Sequence, residues 1–234
     1  MAEDKILEKV ESTAVNGGFS ASTERIIRET PLSIHVDGRH IATAMIMASM
    51  EKEYVTGYLF GQGMINSAED IESISISDNN AEVTLRKTLS GKKTGPVVDS
   101  TLAVRKEDVF DCVRAILKSE IFEETEAVHS AGLFLNGSEA ICIAEDLGRH
   151  HALDKVIGYG LLHDIDFGRT LAASTGRQPS EMIMKYRNAG IPLVATKGVP
   201  TTLAVEMAKE AGITIAGLVR GDTMIVYSTP ARIV

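Results

Sequence analysis

The chain has 234 residues, of which 44% are hydrophobic and 24% are charged, and its formal net charge is −8. A chain of this length and composition can bury a full core without disulfides or a structural metal. The acidic balance argues against non-specific binding to nucleic acid or to an anionic membrane surface, although it allows a local basic pocket. Cys112 and Cys142 are the two cysteines, and they form no Cys-x-x-Cys pair, which argues against a zinc site of the usual spacing.

The first 22 residues are polar and small, and they lack the apolar stretch of a signal peptide. No apolar run in the chain is long enough to span a bilayer. We therefore expect a cytoplasmic protein with a weakly ordered extension over 1–22 and one α/β domain over 23–234. That domain divides into an N-terminal subdomain over 23–106 and a C-terminal core over 107–234.

The N-terminal half carries signals for strands and one helix. Apolar residues alternate before and after Asp37-Gly38, which predicts a hairpin. Apolar residues at helical spacing over 48–64 predict a helix that ends near Gly61 and Gly63. Alternation over 71–76 and 81–89 predicts two further strands, and residues 90–100, rich in glycine and lysine, predict a loop.

The C-terminal half is more regular. It begins with an amphipathic helix over 106–119 and a hairpin with an Asn136-Gly137 turn. Short apolar strands then alternate with helices, and a last strand ends the chain; the strands are predicted over 170–174, 191–196, 213–219 and 224–227. This alternation predicts an α/β fold with a mixed, largely parallel sheet flanked by helices.

Each strand of the C-terminal half is followed by a cation beside a glycine. These cations are Arg149, Arg177, Lys197 and Arg220. Ligands of open α/β sheets bind beyond the carboxyl ends of the strands, where glycine lets the backbone approach a ligand and a cation adds charge. Any one of these residues is more simply a solvated loop charge, but the four together predict a site for a phosphate-bearing ligand.

The densest polar cluster of the chain lies over 145–155, before and within a predicted helix. On that helix His150 and Asp154 share a face, as do His151 and Lys155. The cluster is interpreted either as part of the ligand site or as the solvated start of a helix. His129 precedes a predicted strand and is read equally as a site residue or as a core histidine.

Several enzyme classes lack their motifs here. The chain has no G-x-x-x-x-G-K-[ST] loop, no G-x-G-x-x-G fingerprint and no H-x-E with P-C-x-x-C. These absences argue against a P-loop nucleotide hydrolase, a dinucleotide-binding dehydrogenase and a zinc deaminase.

Stretches along nearly the whole chain resemble one family, the formate dehydrogenase accessory proteins called FdhD. They include EDLGRHHALDK at 145–155, GRQPSEMIMK at 176–185 and TTLAVEMAKEAGITIAGLVRG at 201–221. The resemblance implies a cytidine deaminase-like fold without catalytic zinc, and a homodimer. It further implies that sulfur passes from a cysteine desulfurase to Mo-bis(molybdopterin guanine dinucleotide), which activates formate dehydrogenase. The cofactor-binding turn of the family corresponds to Leu218, Val219, Arg220, Gly221, Asp222 and Thr223.

The chain departs from the family pattern in one respect. The resemblance implies a Cys-x-x-Cys loop that carries a persulfide, whereas the matching loop here reads SGKKTGPVVDS. A thiolate is needed to accept and release sulfane sulfur. Two hypotheses therefore stay open: an accessory factor for formate dehydrogenase, or a cysteine-less carrier or regulator that only binds a guanine or pterin nucleotide. No catalytic residue is predicted.

Overall fold

The computed structural model describes residues 3–87 and 97–234, and its strands form three sheets. The first sheet is a hairpin of β1 (Leu7–Val15) and β2 (Phe19–Ile27), preceded by the short helix α1 (Glu3–Ile6). Gly17 lies in its turn with a φ of +77°. Where the sequence predicts a weakly ordered extension, the structure therefore has two paired, mostly exposed strands.

The second sheet has four strands in the order β4-β3-β6-β5. Its members are β3 (Thr30–Val36), β4 (Arg39–Ile46), β5 (Ile71–Ser77) and β6 (Asn80–Leu85). The predicted Asp37-Gly38 hairpin is confirmed, and both turn residues have positive φ, as a two-residue turn of this type requires.

The third sheet has six strands in the order β12-β11-β10-β9-β7-β8. Its members are β7 (His129–Leu135), β8 (Glu139–Asp146), β9 (Thr170–Ser174), β10 (Leu193–Thr196), β11 (Thr214–Arg220) and β12 (Thr223–Ser228). The prediction of a largely parallel sheet is wrong, because only the β9–β10 and β10–β11 pairs are parallel. Tight turns join β7 to β8 and β11 to β12, and such turns join antiparallel strands only.

Helices cover both faces of the six-stranded sheet. The helices after the first hairpin are α2 (Glu51–Gly61), α3 (Lys106–Ile116), α4 (Glu120–Thr125), α5 (Arg149–Leu162), α6 (Ser180–Ala189) and α7 (Thr202–Glu210). Of these, α3 packs on one face of the sheet and α5 and α7 on the other, whereas α2 packs on α5 and α4 contacts β2. Strand β9 shows how side chains divide between two cores: Leu171 and Ala173 pack with α3, whereas Ala172 packs with the core that includes α2 and α5. This division confirms the predicted arrangement of sheets flanked by helices.

Helices α2 and α5 cross in very close contact. A Cβ atom added to Gly57 would lie 1.9 Å from the carbonyl oxygen of Asp154, and one added to Gly158 would lie 1.8 Å from that of Glu53. Only glycine permits this approach, so α2 of the N-terminal half is fixed on the helix that begins the candidate site. No helix in the described part of the chain has the length and apolar composition to cross a membrane.

Candidate functional site

The carboxyl ends of β8, β9 and β10 meet at one edge of the six-stranded sheet. The register pairs His129 with Asp146 and Ala131 with Ser174, while Thr196 pairs with Ser174. The segments that begin at residues 147, 175 and 197 therefore leave the sheet side by side. This geometry brings together the loops that the sequence places at the strand ends.

A cleft with a volume of about 330 Å³ opens at this edge, and we call it the strand-end cleft. Its polar side is formed by Glu126, His129, Ser130, Thr175 and Lys197, and its apolar side includes Ile116, Leu117, Phe122, Val128 and Leu147. Thr175 is held in place because its Oγ1 accepts from the backbone N–H of Ser130 at 3.0 Å and lies 3.3 Å from Nδ1 of His129. The backbone N–H of Lys197 donates to the carbonyl of Ser174, and Lys197 is exposed.

Three glycines permit close contacts at this edge. A Cβ atom at Gly176 would meet the side chain of Arg149 at 2.8 Å, one at Gly198 would meet the carbonyl of Gly176 at 2.7 Å, and one at Gly217 would lie 3.2 Å from the carbonyl of Gly198. The hydroxyl of Thr196 donates to that carbonyl of Gly176 and accepts from the N–H of Gly198. The loop after β9, the loop after β10 and strand β11 therefore pack closely against one another at this edge.

Arg149 lies beside the strand-end cleft. Its side chain packs on Gly176, and its Nε is buried without a hydrogen-bond partner among the described residues. Burial and the charge of Arg149 together lower the pKa of His129, so this histidine is neutral at physiological pH and one ring nitrogen can donate. The half-buried His129 is therefore a site-lining residue rather than part of the apolar core.

The other predicted cations do not line this cleft. Arg177 is exposed on the loop after β9. The turn of Leu218, Val219, Arg220, Gly221, Asp222 and Thr223 lies further along the β11–β12 hairpin, beyond a bulge that interrupts the pairing after Gly217. Within it Leu218 has a φ of +50°, Val219 packs against α3, and Arg220 is exposed.

His150 faces a different cleft, which lies between α2, α5 and α6 and has a volume of about 370 Å³. We call it the interhelix cleft; its lining consists of Tyr54, Tyr58, Gly61, Gln62, His150, His151, Asp154, Glu181, Met184 and Lys185. Burial and the charges of Lys185 and Arg149 lower the pKa of His150. Leu147, just before α5, therefore lines the strand-end cleft, whereas His150 in the first turn of α5 lines the interhelix cleft.

Asp146 is the centre of a buried polar network under that turn. Its carboxylate binds Nζ of Lys155 at 2.7 Å and Nδ1 of His151 at 3.0 Å, and it accepts from the backbone N–H of Met47. Lys155 is fully buried and also donates to the backbone carbonyls of Met47 and Glu145. Although burial raises the pKa of Asp146, the hydrogen bond from His151 and the charge of Lys155 lower it below the ordinary value. Asp146 is therefore ionised.

Sequence reasoning noted the shared helical face of His151 and Lys155 but not their common partner. It missed Lys185, which binds both carboxylate oxygens of Asp154 at 2.5 and 2.6 Å. The 31-residue separation of this pair gives no local signal. Among the described residues, no group of three histidine, cysteine or acidic side chains is placed to hold a metal ion.

The family model described as the FdhD/NarQ family matches residues 27–95 and 87–234. The chain belongs to this family. It is 32% identical over 231 residues to the sulfur carrier protein FdhD of Methanothermobacter thermautotrophicus, covering 90% of this chain and 92% of that protein. It is 34% identical over 248 residues to the protein of the same name from Sulfurisphaera tokodaii, covering 96% and 95%. A solved chain from Desulfotalea psychrophila, described as a formate dehydrogenase accessory protein, superposes with a TM-score of 0.88 at 29% identity, covering 98% and 100%.

Both cysteines of this FdhD/NarQ family member are buried. Cys112 is 2% exposed and its thiol donates to the carbonyl of Gly137 at 3.1 Å, and Cys142 is 8% exposed. Burial raises the pKa of each thiol to about 12, so neither forms a thiolate readily at neutral pH. The loop predicted over 90–100 lies outside the described residues up to residue 96.

Proposed function

We propose that this chain is an accessory factor for formate dehydrogenase that binds a phosphate-bearing cofactor in the strand-end cleft. The ligand class is that of Mo-bis(molybdopterin guanine dinucleotide), of which a guanine nucleotide is one part. The observation that carries the proposal is the meeting of Lys197, His129 and Thr175 at the carboxyl edge of a six-stranded sheet. Membership of a family whose named relatives include sulfur carrier and formate dehydrogenase accessory proteins supports it.

The cleft supplies the interactions that a nucleotide needs. Lys197 provides the positive charge for a phosphate, and neutral His129 and the Thr175 hydroxyl are hydrogen-bonding groups that need no counter-charge. Gly176 and Gly198 let the loops after β9 and β10 pack closely on each other and on the side chain of Arg149 beside the cleft. The apolar wall that includes Phe122 and Leu147 offers a surface for the base.

In this proposal the protein acts in the cytoplasm as a homodimer. Its partners are a cysteine desulfurase and formate dehydrogenase, and it binds neither nucleic acid nor a membrane. These points, and a cytidine deaminase-like fold, follow from the family resemblance and from the acidic composition.

A second candidate function differs in the chemistry of sulfur. A carrier or regulator that binds the cofactor without transferring sulfur is favoured by the burial and raised pKa values of Cys112 and Cys142. Sulfur transfer requires a thiolate that a persulfide donor can reach. The proposed binding role holds under both candidate functions.

Titration calorimetry with guanosine diphosphate tests the binding role. We expect Lys197→Ala to weaken binding by about 1.5 kcal/mol, roughly tenfold in Kd, the lower end for a charge-assisted hydrogen bond because the lysine is exposed to water. Lys209→Ala is the matched control, since Lys209 is an exposed lysine in the last turn of α7. Equal losses in both variants, or no binding by the wild-type chain, would contradict the proposal.

A further inference from the structure

The hairpin of β1 and β2 stands apart from the two larger sheets, and we call it the arm. Leu7–Val15 and Phe19–Ile27 pair along their whole length, and no third strand of the described residues joins them. Most of their side chains are exposed. A two-stranded hairpin is at best marginally stable in water unless it packs on something else. We therefore looked for the surface that the arm lacks in a single chain.

The base of the arm is fixed beside α4, because Arg25 of β2 forms an ion pair with Glu124 at 3.1 Å. Side chains that alternate along a strand share one face, so Phe19 lies on the same face as Arg25, about 20 Å further out. Helix α4 also carries Phe122, which lines the strand-end cleft. The arm thus starts beside a helix that forms this cleft, whereas the tip of the arm is not part of the lining.

The tip of the arm is apolar and uncovered. Val15 and Phe19 are paired across the two strands beside the turn, and they are 68% and 84% exposed. The outer part of the arm, residues 12–23, contains no charged residue and no proline, and its strands pair without a bulge. Native proteins use charges, proline and bulges to protect free strand edges from other chains. The outer arm lacks all three, so its surface is suited to contact with another chain.

A second copy of this chain offers a matching surface. The apolar side of the strand-end cleft includes Leu117, Phe122 and Leu147, and Phe122 is 40% exposed. Both the base of the arm and this cleft lie at α4, so two arms that run antiparallel across a two-fold axis bring each tip to α4 of the other copy. The chain has a net charge of −8, and an uncharged outer arm can approach a second copy with little like-charge repulsion.

We propose that two copies of this chain exchange their arms, so that Val15 and Phe19 of each copy pack on the apolar side of the strand-end cleft of the other. A second chain then contributes an aromatic ring to the cleft, beside Phe122. An arm about 30 Å long and two strands wide has a face of roughly 300 Å². Two exchanged arms therefore bury about 1,200 Å² in total, the lower end of the range for specific interfaces. The exchange does not depend on what the cleft binds, so it can fail or hold independently of the nucleotide-binding role.

Sedimentation equilibrium of the whole chain without ligand tests the exchange. The wild type should form dimers, and the double variant Val15→Ser with Phe19→Ser should raise the Kd of the dimer at least about tenfold, because it removes the apolar tip. Ile225→Ser is the matched control, since Ile225 is apolar and 50% exposed on β12, the edge strand furthest from β8. It should leave the Kd unchanged. A monomeric wild type, or equal Kd values for the wild type and the double variant, would overturn the proposal.

Disulfide cross-linking shows where the tip lies. Chains with Phe19→Cys are mixed with tagged chains that carry Phe122→Cys, oxidised, and separated on a non-reducing gel. We expect a mixed disulfide dimer, whereas tagged chains with Ile225→Cys should give none with Phe19→Cys. The native Cys112 and Cys142 are buried, so they do not compete. Absence of the mixed dimer, or equal cross-linking to Ile225→Cys, would show that the tip does not pack at the cleft and would overturn the proposal.

Discussion

Replacing Lys155 by methionine tests how the first turn of α5 is held. The substitution keeps most of the side-chain length but removes an ammonium that is completely buried. It leaves the charge of Asp146 in contact with only His151 and backbone N–H groups. It also removes the donor that binds the backbone carbonyls of Met47 and Glu145. Breaking a buried ion pair from one side costs about 3–5 kcal/mol, because the remaining charge is uncompensated.

The expected result is therefore a loss of about 3–5 kcal/mol in the free energy of unfolding, measured by urea denaturation. In a chain of this size the midpoint of thermal unfolding should fall by about 6–20 °C. The double variant Lys155→Met with Asp146→Asn should recover part of the loss, because it removes the orphaned charge. Lys209→Met at an exposed position is the control. A loss below about 1 kcal/mol in Lys155→Met would refute the reasoning that this pair holds α5 in place.

Two further predictions follow from buried titratable groups. Incubation with a cysteine desulfurase and cysteine should give no persulfide in intact mass spectra, because the pKa of both thiols is raised to about 12; a gain of about 32 Da, one sulfur atom, on Cys112 or Cys142 would contradict this. The pKa of His150 is lowered in the fold, so the unfolded chain takes up its proton first and stability should decrease as pH falls below about 6.5. His150→Gln should reduce that decrease, and an unchanged pH profile of unfolding would show that another group causes it.

Local signals in the sequence identified most elements correctly. Both predicted hairpins occur, and the Asp37-Gly38 and Asn136-Gly137 pairs have positive φ. The first pair forms a two-residue turn, whereas the second lies in a three-residue connection over 136–138. Strand direction was misjudged because it depends on which strands become neighbours. Nothing local in His129–Leu135 shows that it lies antiparallel to β9.

The candidate site was predictable only in part, because it too depends on which segments become neighbours in the fold. The cations after the strands could be read from the sequence, and the shared edge brings Lys197 and Arg149 to one region of the sheet. The buried Lys155 could not be foreseen, because lysine is rarely buried and its carbonyl acceptor at Met47 is 108 residues away. The interhelix cleft likewise depends on three helices that only the folded chain brings together.

The glycine contact between α2 and α5 has a consequence for how this protein is made. Gly57 leaves the ribosome about 100 residues before Gly158, a delay of roughly 5–20 s at ordinary rates of synthesis. During that interval the buried side chains of α2 have no α5 to cover them. A stalled or truncated product that ends near residue 106 would therefore be a substrate for chaperones and proteases, and the two halves would not serve as independent modules if they were separated or fused to other proteins.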